Sequence, residues 1–190
     1  MTAIIDYDAG NIRSVEKALL ALGEETTVTG KASEILEADR VILPGVGAFG
    51  DAMKKLWEYE LVDVIRETVR KKTPFLGICL EGLGILEGEI LRIPDNAGVK
   101  VPHIGWNSIT YPNRGRLFEG IPENSYVYFV HSYYLKAADE EIVTAQTQYG
   151  ALIHASVEKD NVFACQFHPE KSSEIGLAIL RNFISINREE

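Results

Sequence analysis

The sequence predicts a three-layer α/β fold: a mostly parallel central sheet with helices on both faces and an antiparallel extension. Three observations carry that prediction. Short apolar runs alternate with amphipathic helical stretches through the first half of the chain, the pattern of parallel strands joined by crossover helices. The second half turns to closely spaced strand-like runs with little helical period between them. The last stretch before the C-terminus returns to helical spacing.

Taken in order, residues 3–6 form a strand. Residues 11–22 form a helix with Ile12, Val15, Ala18, Leu19 and Leu22 on one face, stopped by Gly23. Residues 25–29 give a second strand. Residues 41–44 give a third, which runs into Gly45-Val46-Gly47. Helical patterns follow over 51–57 and 61–71, then a strand over 73–78 ends at Cys79. Further strands are expected at 126–130, 142–148, 153–157 and 162–167. A helix over 173–186 places Ile175, Ile179, Phe183 and Ile186 at helical spacing, with Ser172 or Ser173 available as its cap. Residues 100–107 read as a loop.

A chain of 190 residues with ordinary apolar and charged fractions suits one globular domain over 1–190. A net charge of −9 argues against nucleic-acid binding by the whole surface. No run is long enough to span a membrane, and the opening residues lack the pattern of a secretion signal, so a cytoplasmic location is expected. Both cysteines are then expected as reduced thiols, and their spacing suggests no zinc site. No metal and no cofactor are expected.

Functional groups in open sheets collect at the carboxyl ends of strands. Cys79 stands at such an end, after Gly77, where a sharp turn exposes the sulfur as a nucleophile. Its bland alternative is a buried small hydrophobe. Cys165 fits that description better, because strand alternation sets it with Phe163 and Phe167, on the face away from Gln166 and His168. His168 is followed by Pro169 and Glu170; a carboxylate two residues on can hold one ring nitrogen and leave the other to take a thiol proton. His103, His131 and His154 are rival bases. The glycine turn after Pro44 offers a backbone N–H which, with that of Leu80, can hold the oxyanion of a tetrahedral intermediate. Trp106 beside Asn107 suggests either a protein partner or a core tryptophan under a loop.

Gly77-Ile78-Cys79, Pro44-Gly45-Val46-Gly47 and Phe167-His168-Pro169-Glu170, in that order, resemble the class I, triad-type glutamine amidotransferases. Asp6-Tyr7, Gly10-Asn11, residues 100–107, Tyr128 through Tyr133 and Phe167 through Ser172 are similar to the glutaminase subunit of imidazole glycerol phosphate synthase, over nearly the whole chain. The resemblance implies hydrolysis of L-glutamine to glutamate and ammonia, with ammonia passed to a (β/α)₈-barrel cyclase subunit in histidine biosynthesis. Cys79 then matches the nucleophile, His168 the base and acid, and Glu170 its orienter. Val46 and Leu80 match the oxyanion hole. Gly45, Gly47, His131, Ser132 and Tyr133 fall where glutamine is held, and Asn11, Trp106, Asn107 and Lys171 where the cyclase docks.

The chain departs from that pattern after Cys79. Glu81 stands where a glycine is expected and Leu83 where a glutamine-binding Gln is expected. The family's nucleophile helix and its loop, roughly three to four turns' worth, have no counterpart between Leu80 and Glu81. Its true loss should leave a poorly folded or inactive protein; the intact pattern of strands and helices argues instead for a segment omitted from the sequence. Two other readings are a glutaminase of another synthase, such as that of pyridoxal phosphate, and a binding subunit that has lost its active site. Residues 100–107 favour the histidine pathway over the former.

Overall fold

A computed structural model describes residues 1–8, 10–45, 49–79, 86–95 and 98–187. Val46, Gly47, Leu80, Glu81 and Leu83 therefore lie outside the described residues. The first four strands are β1 (Thr2–Ile5), β2 (Thr26–Thr29), β3 (Arg40–Pro44) and β4 (Phe75–Ile78). Between them run the helices α1 (Ile12–Ala21), α2 (Ala32–Glu37), α3 (Phe49–Glu58) and α4 (Leu61–Arg70). Then come β5 (Gly88–Arg92), β6 (His103–Ser108), β7 (Tyr126–His131), β8 (Tyr133–Ala137), β9 (Val143–Gln148), β10 (Leu152–Lys159), β11 (Val162–Cys165) and α5 (Ser173–Ser185).

The main sheet has seven strands in the order β2-β1-β3-β4-β11-β10-β9. Pairing is parallel from β2 to β11 and antiparallel from β11 to β9, as the alternation of elements predicts. Successive side chains of each inner strand enter opposite layers. Ile4, Ile42, Leu76, Ile78, Phe163 and Cys165 pack against α1 and α5. Ala3, Ile5, Val41, Leu43, Phe75 and Val162 pack against α2, α3 and α4. The apolar stripe of α1 is buried at Ile12, Val15, Ala18 and Leu19, and Gly23 follows at φ 80°, where glycine carries no Cβ penalty.

Residues 100–107 are not all loop: His103–Ser108 is β6, which pairs with β7 in a separate two-stranded sheet. Gly105 and the exposed Ile104 and Trp106 obscure the usual inside–outside alternation there. A second ribbon pairs β5 with β8. The chain steps from one ribbon to the other at Ser132, between β7 and β8.

Neither candidate serine caps α5 with its side chain: Ser173 is its first residue. Ser172 makes no capping bond, because its hydroxyl donates to the His168 carbonyl at 2.7 Å and accepts from Tyr128 N–H at 2.9 Å. The same turn explains Gly176. A Cβ there would sit 1.8 Å from the Pro169 carbonyl oxygen and 2.8 Å from Ser172 Cβ. Gly176→Ala is expected to destabilise the fold by about 2 to 3 kcal/mol through this overpacking. A urea titration measures that loss, and an unchanged midpoint would show that the turn yields without cost.

Candidate active site

Register brings the two ends of the chain together. β4 and β11 are parallel neighbours with Ile78 opposite Cys165. One residue further, Cys79 N–H donates to the Cys165 carbonyl at 2.7 Å, and Gln166 Nε2 donates to Cys79 Sγ at 3.8 Å. Cys79 has φ 52°, the left-handed conformation that a non-glycine residue adopts only at some cost. That is the strained strand-end turn expected of a presented nucleophile.

β7 contacts both Cys79 and His168. The Cys79 thiol donates to the Val130 carbonyl at 3.7 Å, and His168 N–H donates to the Tyr128 carbonyl at 2.9 Å. Residues two apart on a strand are separated by about 6.6 Å, so the Cys79 thiol and the His168 backbone are held by neighbouring carbonyls of one strand. Ser172 closes the clamp by joining Tyr128 N–H to the His168 carbonyl.

The side chains of His168 and Glu170 are buried. His168 Nδ1 lies 2.8 Å from Glu170 Oε1. A carboxylate accepts, so Nδ1 carries the proton of the neutral ring and Nε2 keeps its lone pair. The rival bases are engaged elsewhere. His131 Nδ1 faces the Tyr133 carbonyl at 2.8 Å, and its Nε2 is 3.1 Å from His103 Nδ1. Burial, with a smaller push between neighbouring histidines, pulls His103 and His131 down to about 4, so both are neutral near pH 7. His154 Nδ1 accepts from Ala137 N–H at 3.1 Å. Cys165 is core: burial raises its thiol to about 12, and it lies 3.8 Å from Ser156 Oγ.

Of the residues assigned to glutamine, Gly45 is buried at the end of β3. His131 turns its ring inward to His103, the Ser132 carbonyl accepts from Ile93 N–H at 2.9 Å, and Tyr133 is exposed. Of those assigned to a partner, Trp106 and Lys171 are exposed. Asn107 Nδ2 donates to the Gln148 carbonyl at 3.2 Å, while Asn11 directs its amide to Glu170.

Three contributors were not singled out from sequence. Gln166 was detectable, since it shares the face of His168. Ser172 was noted only as a cap and as the end of the Phe167-to-Ser172 resemblance. Tyr7, whose hydroxyl donates to the Pro44 carbonyl at 2.7 Å, was noted only as part of the Asp6-Tyr7 resemblance. Burial, then the nearby Cys79, raises Tyr7 to about 12, so it remains a donor that steadies the end of β3. Among the described residues, no group of three or more His, Cys, Asp or Glu could hold a metal ion.

The model of the family described as glutamine amidotransferase class-I matches residues 3–186. The chain belongs to the class-I glutamine amidotransferases. Within them it is 49% identical to imidazole glycerol phosphate synthase subunit HisH of Aquifex aeolicus, covering 96% of this chain and 95% of that one. It is also 49% identical to the HisH subunit of Moorella thermoacetica, covering 95% and 92%. A solved glutamine amidotransferase superimposes with a TM-score of 0.73 at 21% identity, over 96% of this chain and 97% of that one, which shows a shared fold.

The relatives also reveal a shortfall in this glutamine amidotransferase. The Aquifex match is 198 residues long yet takes in 96% of a 190-residue chain, about 182 residues. About sixteen positions of that match therefore face no residue here. That number is close to the length of the nucleophile helix and loop that the resemblance leads one to expect between Leu80 and Glu81.

Proposed function

We propose that the chain is the glutaminase subunit of an imidazole glycerol phosphate synthase, and that Cys79, His168 and Glu170 release ammonia from L-glutamine for histidine biosynthesis. The observation that supports this reading is that β7 contacts both the Cys79 thiol and the His168 backbone, while Glu170 Oε1 lies 2.8 Å from His168 Nδ1.

The chemistry follows from these positions. His168 Nε2 takes the Cys79 thiol proton, and the thiolate attacks the side-chain carbonyl carbon of glutamine. A C–S bond forms and the carbonyl electron pair moves onto oxygen; backbone N–H groups at Val46 and Leu80 are the assigned donors to that oxyanion. Collapse breaks the C–N bond as His168 returns the proton to the leaving nitrogen, giving ammonia and a γ-glutamyl thioester. Water then attacks while His168 accepts its proton. The C–S bond breaks, and glutamate and the Cys79 thiol are restored. Glu170 holds the Nδ1 proton throughout and stabilises the transient imidazolium.

The proposed partner is a cyclase subunit forming a heterodimer with this chain. The outer face of the β6–β7 ribbon supports it: Ile104, Trp106 and Tyr126 are 59%, 49% and 59% exposed, and Trp106 packs edge-on against Tyr128. Tyr128 and Val130, whose carbonyls meet His168 and Cys79, belong to the same strand, so docking there reaches the reacting groups through β7. The isolated chain is expected to be slow, and to accelerate when cyclase and its ligand are added. Trp106→Ala is expected to weaken the complex by about 30-fold or more, the effect of removing a central aromatic anchor. Coupled glutaminase assays and titration calorimetry measure both. A rate indifferent to the cyclase would point to a different synthase.

One observation favours a second reading. The shortfall of about sixteen positions against the relatives fits a docking subunit with an impaired site.

A further inference from the structure

Asn11 opens α1, yet it does not cap it. An asparagine at this position ordinarily turns its side chain onto the first free N–H groups of its own helix. Here no such bond forms. The residue adopts φ 73° and ψ −1°, in the left-handed region rather than the extended one usual for a cap. Its amide Nδ2 instead donates to Glu170 Oε1, 159 residues away in the chain.

The environment of Glu170 explains why that donor matters. Its side chain has no exposed surface. Oε1 receives both His168 Nδ1 and Asn11 Nδ2, while Oε2 has no partner among the described residues. A buried carboxylate served only by His168 could turn either oxygen to the ring, and its charge would be poorly satisfied. The second donor, from a different element, distinguishes the two oxygens and fixes the carboxylate plane. The positive end of α1 lies beside the same carboxylate and adds favourable charge. Val15 and Leu19 anchor α1 in the core, so the donor is held by packing.

We propose that Asn11 is a positioning residue of the site: its amide locks Glu170, and Glu170 locks the His168 ring toward Cys79. The kinetic part of this rests on the triad reading above; the hydrogen bond itself does not.

The test separates side chain from backbone. Asn11→Gly keeps the left-handed conformation freely and removes only the amide. Asn11→Asp keeps the shape and sets a second carboxylate against Glu170. Both are assayed in complex with the cyclase. Loss of a hydrogen bond to a charged group predicts that Asn11→Gly lowers kcat by about tenfold or more with KM for glutamine within about twofold. Asn11→Asp should lose more. The nitrogen-coupled NMR signal of the His168 Nδ1 proton should move in both variants, while the urea midpoint of Asn11→Gly stays close to that of the parent. An unmoved Nδ1 signal overturns the proposal, and so does a loss confined to KM. If the parent complex releases no ammonia, the triad reading fails, and the Nδ1 signal still decides the role of Asn11.

Discussion

Cys79→Ser is expected to abolish ammonia release from glutamine in the complex with the cyclase, by a factor on the order of 10⁴ or more. The substitution keeps the side chain's shape and the strand-end turn. It replaces a thiol that a neutral imidazole can deprotonate with an alcohol several pKa units harder to ionise. Cys165→Ala is the matched control. That sulfur is buried with Phe163 and Phe167, on the opposite face of β11 from Gln166. Its removal is expected to cost about 1 to 2 kcal/mol of stability and to leave kcat close to that of the parent. Assays of ammonia release with and without cyclase check both variants. Retained turnover in Cys79→Ser would remove the nucleophile assignment.

The second large effect concerns the nucleophile helix that the family resemblance leads one to expect after Leu80. Inserting the corresponding segment of the Aquifex relative between Leu80 and Glu81 is expected to raise kcat/KM by about 10² or more. A helix N-terminus set against the sulfur favours the thiolate, and one well-aimed oxyanion donor is worth roughly 3 to 4 kcal/mol of barrier. The segment also restores a glutamine-binding side chain where Leu83 now stands in the pattern. Steady-state kinetics of the insertion variant in complex measure the gain. No gain would mean that the 190-residue chain already completes its site; parent activity near zero with a large gain would favour the docking-subunit reading.

The central sheet was legible because its inner strands are continuous apolar runs separated by helical patterns. Ile4, Ile42 and Leu76 point to one layer, and Ala3, Val41 and Phe75 to the other, which is what runs buried on both faces imply. The ribbons were less legible. β8 and β5 are short and partly exposed, and β6 was read as a loop because Pro102, Gly105 and the exposed Ile104 and Trp106 imitate one. The helix α2 has six residues with only Ile35 buried, too little for a periodic signal.

In the site, Cys79, His168 and Glu170 were readable because each stands at a strand end or turn with a telling neighbour. The groups that hold them were not. Ser172 has the residue type of a helix cap, and only the fold shows that its hydroxyl spans Tyr128 and His168. Asn11 and Glu170 lie at opposite ends of the sequence, and nothing local to either predicts their bond. Tyr7 reaches Pro44 across neighbouring strands, a contact that depends on the order β1-β3 in the sheet.

The most direct measurement is peptide mass spectrometry of the complex quenched in acid during turnover of glutamine. A γ-glutamyl group on the peptide bearing Cys79, and none on that bearing Cys165, is the expected result. Ammonia released at full rate with Cys79 unmodified in every quench, or the adduct found on Cys165, would contradict it.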